Sequence, residues 1–247
     1  MADMKPTVRI FKDAHELSRT AAEIFVALAA QAIHVRGRFL VAFSGGSAPT
    51  ALYRLLASAP IDWTCVHVFW GDERLVPPDN PESSYGQAYE AVLKHVPIPA
   101  ENVHRVSSEM EPAAAAMDYA RVLQGFATPP LDWPRFDLVL LGMGEDGHTA
   151  SLFPGSPIDI TEPVIAVIAH YQGRPAQRIS LTPLVFNAAR QVVFLVTGAN
   201  KAVTLTGVFN AYNSLEQYPV KRIQPSDGKV TWLVDEAAGT ALTYPHP

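Results

Sequence analysis

The segment Gly142-Met143-Gly144-Glu145-Asp146-Gly147-His148-Thr149 sets an imidazole two positions after a carboxylate, in a stretch that three glycines leave unencumbered. Histidine, with an ordinary pKa of about 6.5, is the side chain best matched to proton transfer near neutrality, and a neighbouring carboxylate can orient its ring. The same segment satisfies G-x-G-x-x-G, the dinucleotide-binding spacing. That reading is rejected on three grounds. The motif comes late in the chain, it runs into Pro154 and Gly155 where a crossover helix would continue, and no acidic residue closes a second strand about 20 residues on. Two readings of His148 stay open: an acid–base group presented to a cleft together with Asp146, or a ring that caps a helix or donates to a backbone carbonyl.

Ser44-Gly45-Gly46-Ser47 follows an apolar run and leads into a segment with Pro49 near its start. Adjacent glycines let backbone N–H groups turn toward a ligand, and a helix N-terminus adds positive partial charge, so a phosphate fits here. The competing reading is a tight turn with Ser47 as helix N-cap. Gly71-Asp72-Glu73-Arg74 puts three consecutive charges straight after another apolar run, where a cleft would open, although charge runs are also common on solvated surface. Arg178, in Arg178-Ile179-Ser180-Leu181-Thr182, and Lys201, after Gly198-Ala199-Asn200, are cations at the ends of core-like segments. Arginine grips phosphate oxygens in pairs and lysine offers a point charge. No HExxH pattern is present, and the other histidines are scattered. His67, alternating with apolar residues, reads as a core histidine. Nothing in the sequence positively supports a metal at Asp72, Glu73, Asp146 or His148.

Short apolar runs must position these groups: Phe39–Phe43, Val66–Trp70, Leu138–Leu141, Val164–Ile168, Val192–Val196 and Val230–Val234. Most have the continuous apolar character of buried parallel strands. Between them, Pro49–Leu56, Ser84–Lys94, Ala113–Phe126, Pro183–Ala189 and Asn200–Phe209 have helical character, and Leu17, Ala21, Ile24, Leu28 and Ala32 mark an amphipathic helix at the start. Alternation of the two predicts an α/β fold in a single domain spanning 1–247. In such sheets ligands bind beyond the carboxyl ends of the strands, which directs attention to the loops after Phe43, Trp70, Leu141 and Val196.

The chain has 247 residues, 48% of them hydrophobic, and a net charge of −5, which excludes a nucleic-acid binder working through bulk positive charge. Ala21–Ile33 is too short and too polar to span a membrane, and the N-terminus lacks an export-signal pattern, so a cytoplasmic protein is expected. The single cysteine, Cys65, allows no intrachain disulfide and is expected as a buried core thiol.

Taken in order, these loops resemble the 6-phosphogluconolactonase family, which shares a fold with the glucosamine-6-phosphate deaminases. The resemblance covers Phe43–Tyr53, Val68–Leu93, Phe136–Pro154, Arg178–Lys201 and Val230–Ala238. It implies a single-domain, Rossmann-like three-layer fold with a mainly parallel sheet flanked by helices. It also implies hydrolysis of 6-phospho-D-glucono-1,5-lactone in the oxidative pentose phosphate pathway, without a cofactor. The partner expected is this small sugar-phosphate lactone, with no nucleic acid and no membrane, in a monomer or weak homo-oligomer. For that substrate, Ser44, Gly45, Gly46, Ser47, Arg178 and Lys201 would hold the phosphate and His148 would be the base. Asp146 or Asp72 would orient the imidazole and Arg74 would face the oxyanion. The glutamate that follows the histidine loop in the deaminases is absent from Thr149–Phe153, which favours the lactonase over a deaminase or isomerase. A non-catalytic sugar-phosphate sensor on the same fold would bind without turnover. Thr204–Ile223 departs from the family pattern, which puts ligand contacts from that segment in doubt.

Overall fold

The computed structural model describes residues 6–210 and 212–242. The elements in chain order are β1 (Thr7–Phe11), α1 (Ala14–Arg36), β2 (Phe39–Phe43), α2 (Ser47–Leu56), β3 (Val66–Trp70), β4 (Asp72–Arg74), α3 (Ser84–Ala91), β5 (Val103–His104) and α4 (Pro112–Gln124). They continue with β6 (Leu138–Leu141), β7 (Val164–Ile168), β8 (Gln177–Leu181), α5 (Pro183–Phe186), β9 (Gln191–Val196), α6 (Ala202–Phe209), β10 (Lys229–Asp235) and α7 (Glu236–Gly239). Seven strands form a parallel sheet in the order β1-β10-β9-β6-β2-β3-β5.

β2 is Phe-Leu-Val-Ala-Phe and buried at every position, because successive side chains leave opposite faces and both faces are covered. Phe39, Val41 and Phe43 join the core formed with α1 and α2, around Phe25, Leu52 and Tyr53. Leu40 and Ala42 join the core on the other face, with Tyr119 and Leu123 of α4. Two cores separated by one sheet make the three layers.

The amphipathic helix runs over Ala14–Arg36, capped by the Asp13 carboxylate and ended by Gly37 in the left-handed region at φ 72°. Its buried line is Leu17, Ala21, Phe25, Ala29 and Ala32, one residue away from the expected stripe at Ile24 and Leu28, which are only partly buried.

Three expectations need correction. Val164–Ile168 is not in the parallel sheet: β7 pairs antiparallel with β8, and β8 with β4, in a separate three-stranded sheet. Its burial alternates along the strand, as in a sheet covered on one side. Cys65 is only partly buried, because it ends a 3₁₀ turn just ahead of β3, where its thiol faces Asp62 at 3.7 Å. Gly46, at φ 110°, is the N-cap of α2, and Ser47 is the first helical residue. Among the described residues no helix is long and apolar enough to cross a membrane.

Candidate active site

The carboxyl ends of β2, β3, β6 and β9 border one cleft of about 200 Å³, closed on one side by the β4–β8 ladder. Ser44, Gly45, Gly46, Ser47, Asp72, Arg74, His148, Arg178 and Lys201 all line it. Asp146 stands behind His148.

His148 is fixed from three directions. Its Nδ1 lies 2.6 Å from Asp146 Oδ1, which also accepts the His148 backbone N–H at 3.1 Å. The Phe153 ring lies 4.4 Å from the imidazole, and the Tyr171 ring meets it edge-on at 4.7 Å. A carboxylate on Nδ1 selects the tautomer with the proton there and leaves the lone pair on Nε2. Burial works to raise the Asp146 pKa, but the hydrogen bond and charge of His148 outweigh it, and the carboxyl titrates below its ordinary value. The loop permits this closeness because residue 144 is glycine. A Cβ there would stand 2.1 Å from His148 Nδ1 and 2.7 Å from Asp146 Oδ1. The expected alternative orienter, Asp72, is instead held by the Ser151 hydroxyl at 2.7 Å, and Asp146 is the residue bonded to the ring.

On the opposite wall, α2 starts without a side-chain cap, and Pro49 brings no N–H, so the N–H groups of Ser47 and Ala48 in its first turn have no intrahelical acceptor. Other parts of the expected cradle are already committed. Ser44 donates its hydroxyl to Leu140 O at 2.6 Å and its N–H to the Tyr53 hydroxyl at 2.9 Å, and the Gly46 N–H donates to Gln87 Oε1 at 2.9 Å. Ser44 therefore shapes the loop with both its donors turned into the protein.

Arg74 and Arg178 are direct partners across the β4–β8 ladder, and both are buried. Arg74 Nη1 donates to Glu82 O at 2.7 Å. Arg178 lies 5.4 Å over the Phe153 ring, and its Nε and Nη2 have no acceptor within the protein. Burial lowers its pKa while Asp72 opposes the change, and a guanidinium stays charged regardless. Burying unpaired cationic donors is costly, so this geometry favours an anion in the cleft. Lys201, partly buried, has a lowered pKa for the same reason, opposed by Glu145 and Asp146.

Glu73 does something else. Its carboxylate, buried between β4 and the start of α3, accepts from the N–H groups of Arg74, Ser84 and Tyr85 and from the Ser83 hydroxyl. Burial raises its pKa against those bonds. The charged triplet is thus a buried strand: Asp72 and Arg74 point one way, into the cleft, and Glu73 the other.

Sequence reasoning missed the turn between β7 and β8, which brings Tyr171, Gln172 and Arg174 to the cleft. Its only local signal is Gln172-Gly173 between two strands, with φ of 51° and 68°. Among the described residues of the 204–223 segment, none lines this cleft. They support it from behind, where Val220 N–H donates to Gly147 O at 3.1 Å.

A parallel α/β sheet whose carboxyl edge joins a helix N-terminus, buried guanidinium groups and an imidazole–carboxylate couple places the protein in one class, that of α/β proteins with a cleft lined by cationic groups and an imidazole. Within that class the chain belongs to the family described as glucosamine-6-phosphate isomerases/6-phosphogluconolactonase, which it matches over residues 12–232. It is 41% identical over 242 residues to a 6-phosphogluconolactonase of Nostoc sp., covering 97% of this chain and all of that one. It superposes on the 6-phosphogluconolactonase of Trypanosoma cruzi with a TM-score of 0.86 at 29% identity, over 98% of each chain. A monomeric glucosamine-6-phosphate deaminase shares the fold, with a TM-score of 0.83 at 18% identity, over 96% of this chain and 100% of that one.

Proposed function

We propose that this protein hydrolyses 6-phospho-D-glucono-1,5-lactone to 6-phospho-D-gluconate, the lactone-opening step of the oxidative pentose phosphate pathway. One observation carries the reading: a His–Asp couple shares a single cleft with a buried arginine whose Nε and Nη2 lack any protein acceptor. A cyclic ester with a phosphate at its far end needs both parts.

The phosphate is held by Arg178, Lys201 and the first turn of α2, at Ser47 with Gly45 and Gly46 beside it. This remote binding energy places the lactone carbonyl against His148. Asp146 keeps the proton on Nδ1, so Nε2 takes a proton from water as the water oxygen attacks C1. General base catalysis of this kind contributes roughly 10²- to 10⁴-fold in rate. Arg74 faces the oxyanion of the tetrahedral intermediate, where one donor is worth roughly 10²- to 10³-fold. When the C1–ring-oxygen bond breaks, the imidazolium returns its proton to the departing oxygen.

Freshly generated lactone, coupled to the dehydrogenase that consumes 6-phosphogluconate and run beside an enzyme-free control, tests the assignment. Opening well above the spontaneous rate is expected. Opening at the background rate, or turnover of glucosamine 6-phosphate instead, rejects it.

A further inference from the structure

The backbone and side chain of Glu145 tie three separate parts of the fold together at the edge of the cleft. Its Oε1 accepts from Asn200 Nδ2 at 2.6 Å and from Gln172 Nε2 at 3.3 Å. Its backbone N–H donates to the Tyr171 hydroxyl at 3.4 Å, and its carbonyl accepts from the Thr204 hydroxyl of α6. The ties to Tyr171, Gln172 and Asn200 lie at or beside residues that face the cleft. Tyr171 sets its ring edge-on to His148, Arg174 shares the turn with Gln172, and Lys201 follows Asn200. The turn bearing Tyr171 and Arg174 is built on left-handed Gln172 and Gly173, a conformation that costs a non-glycine residue about 1 kcal/mol or more and persists where surroundings enforce it. Glu145 is exposed and does not line the cleft, so it has no direct route to a bound molecule.

We propose that Glu145 is a positioning residue, which docks the β7–β8 turn and the Asn200–Lys201 turn onto the His148 loop and so holds Tyr171 against the imidazole. The inference rests on the lactonase reading for its kinetic arm alone. Removing the carboxylate also removes a negative charge beside Lys201, so a purely electrostatic role and a docking role separate by substitution. Glu145→Ala deletes the two side-chain ties and the charge, and leaves the backbone bonds to Tyr171 and Thr204 in place. Glu145→Gln deletes the charge and keeps an oxygen able to accept from Asn200 and Gln172.

The test uses the full chain in both arms. In lactone turnover, Glu145→Ala should lower kcat about tenfold, and Glu145→Gln should return it to within about threefold of the parent. Melting temperatures should stay within about 2 °C, since the side chain is exposed. In the ligand-free protein, the imidazole proton resonances of His148, shifted by the Tyr171 and Phe153 rings, should move in Glu145→Ala toward their positions in Tyr171→Ala and stay put in Glu145→Gln. Unmoved resonances in Glu145→Ala, or Gln and Ala variants that behave alike, overturn the proposal. A parent protein inert toward lactone rejects the assigned reaction, while the resonance arm still decides the role of Glu145.

Discussion

Replacing Gly144 by alanine perturbs the reacting group through a single methyl. The backbone of Gly144 is outside the left-handed region, so alanine is conformationally acceptable there, but the space is taken. The new Cβ would lie 2.1 Å from His148 Nδ1, 2.2 Å from Cε1 and 2.7 Å from Asp146 Oδ1, against 3.4 Å or more for an ordinary contact. The ring must therefore move by more than about 1 Å, and the 2.6 Å bond to Asp146 cannot survive in place. A displacement of that size at a reacting group costs about 10²-fold in rate, and complete loss of the base sets a ceiling near 10⁴. We expect kcat to fall between about 10²- and 10³-fold, with KM within about threefold, because the anion-holding groups on α2 and β8 are untouched. Overpacking a buried position should also cost about 1–3 kcal/mol of stability, so the assay belongs at 25 °C with circular dichroism confirming the fold. Spontaneous lactone opening is subtracted from each trace. A kcat within threefold of the parent would refute the argument that the loop is glycine at 144 to admit the His–Asp couple.

His148→Ala should lower kcat by at least about 10²-fold, read in the same coupled assay, and a kcat near the parent value removes the base assignment. Arg178→Ala should raise KM about tenfold or more, the loss expected for charge-assisted hydrogen bonds, while thermal stability holds because its Nε and Nη2 have no protein acceptor to forfeit. An unchanged KM takes Arg178 out of the anchor. His104, stacked on Phe69 and 3.1 Å from His67 Nδ1, has its pKa lowered to about 4, by burial first and by the charge of His67 second. The unfolded chain binds that proton near pH 6.5 and the native protein only near 4. The stability this histidine lends is therefore full above 6.5 and lost as pH falls from 6.5 to 4. At full strength the shift is worth about 3 kcal/mol, and partial exposure of the ring reduces this to about 1–2 kcal/mol. Denaturant unfolding of His104→Gln should lose less stability between pH 7 and pH 5 than the parent does, and identical losses would contradict the shift.

Strands β2, five consecutive apolar residues, and β3, apolar at all but His67, were legible because such runs have few other fates when both faces of a sheet are covered. β1 was not, since an edge strand with polar residues at Thr7 and Arg9 carries no continuous apolar run. β4 was hidden altogether: Asp72-Glu73-Arg74 has the composition of a loop and becomes a strand only because β8, distant in sequence, supplies its ladder. The site divides along the same line. Asp146, His148 and the Gly45-Gly46-Ser47 turn announce themselves by local spacing, and the structure brings His148 and the turn to one cleft with Asp146 behind the ring. Tyr171 and Arg174 depend on how a hairpin folds back across the sheet edge, which no local pattern records. Ser44 shows the converse case, a residue in a correctly read motif whose polar groups are consumed by Leu140 and Tyr53.

If one cleft holds a phosphate at α2 and Arg178 while presenting C1 to His148, a crystal structure with 6-phosphogluconate bound will show both contacts at once. The phosphate oxygens are expected on the N–H groups of Ser47 and Ala48 and on the Arg178 guanidinium, with the C1 carboxylate beside His148 Nε2. A product lying the other way round, or seated outside this cleft, would contradict that arrangement.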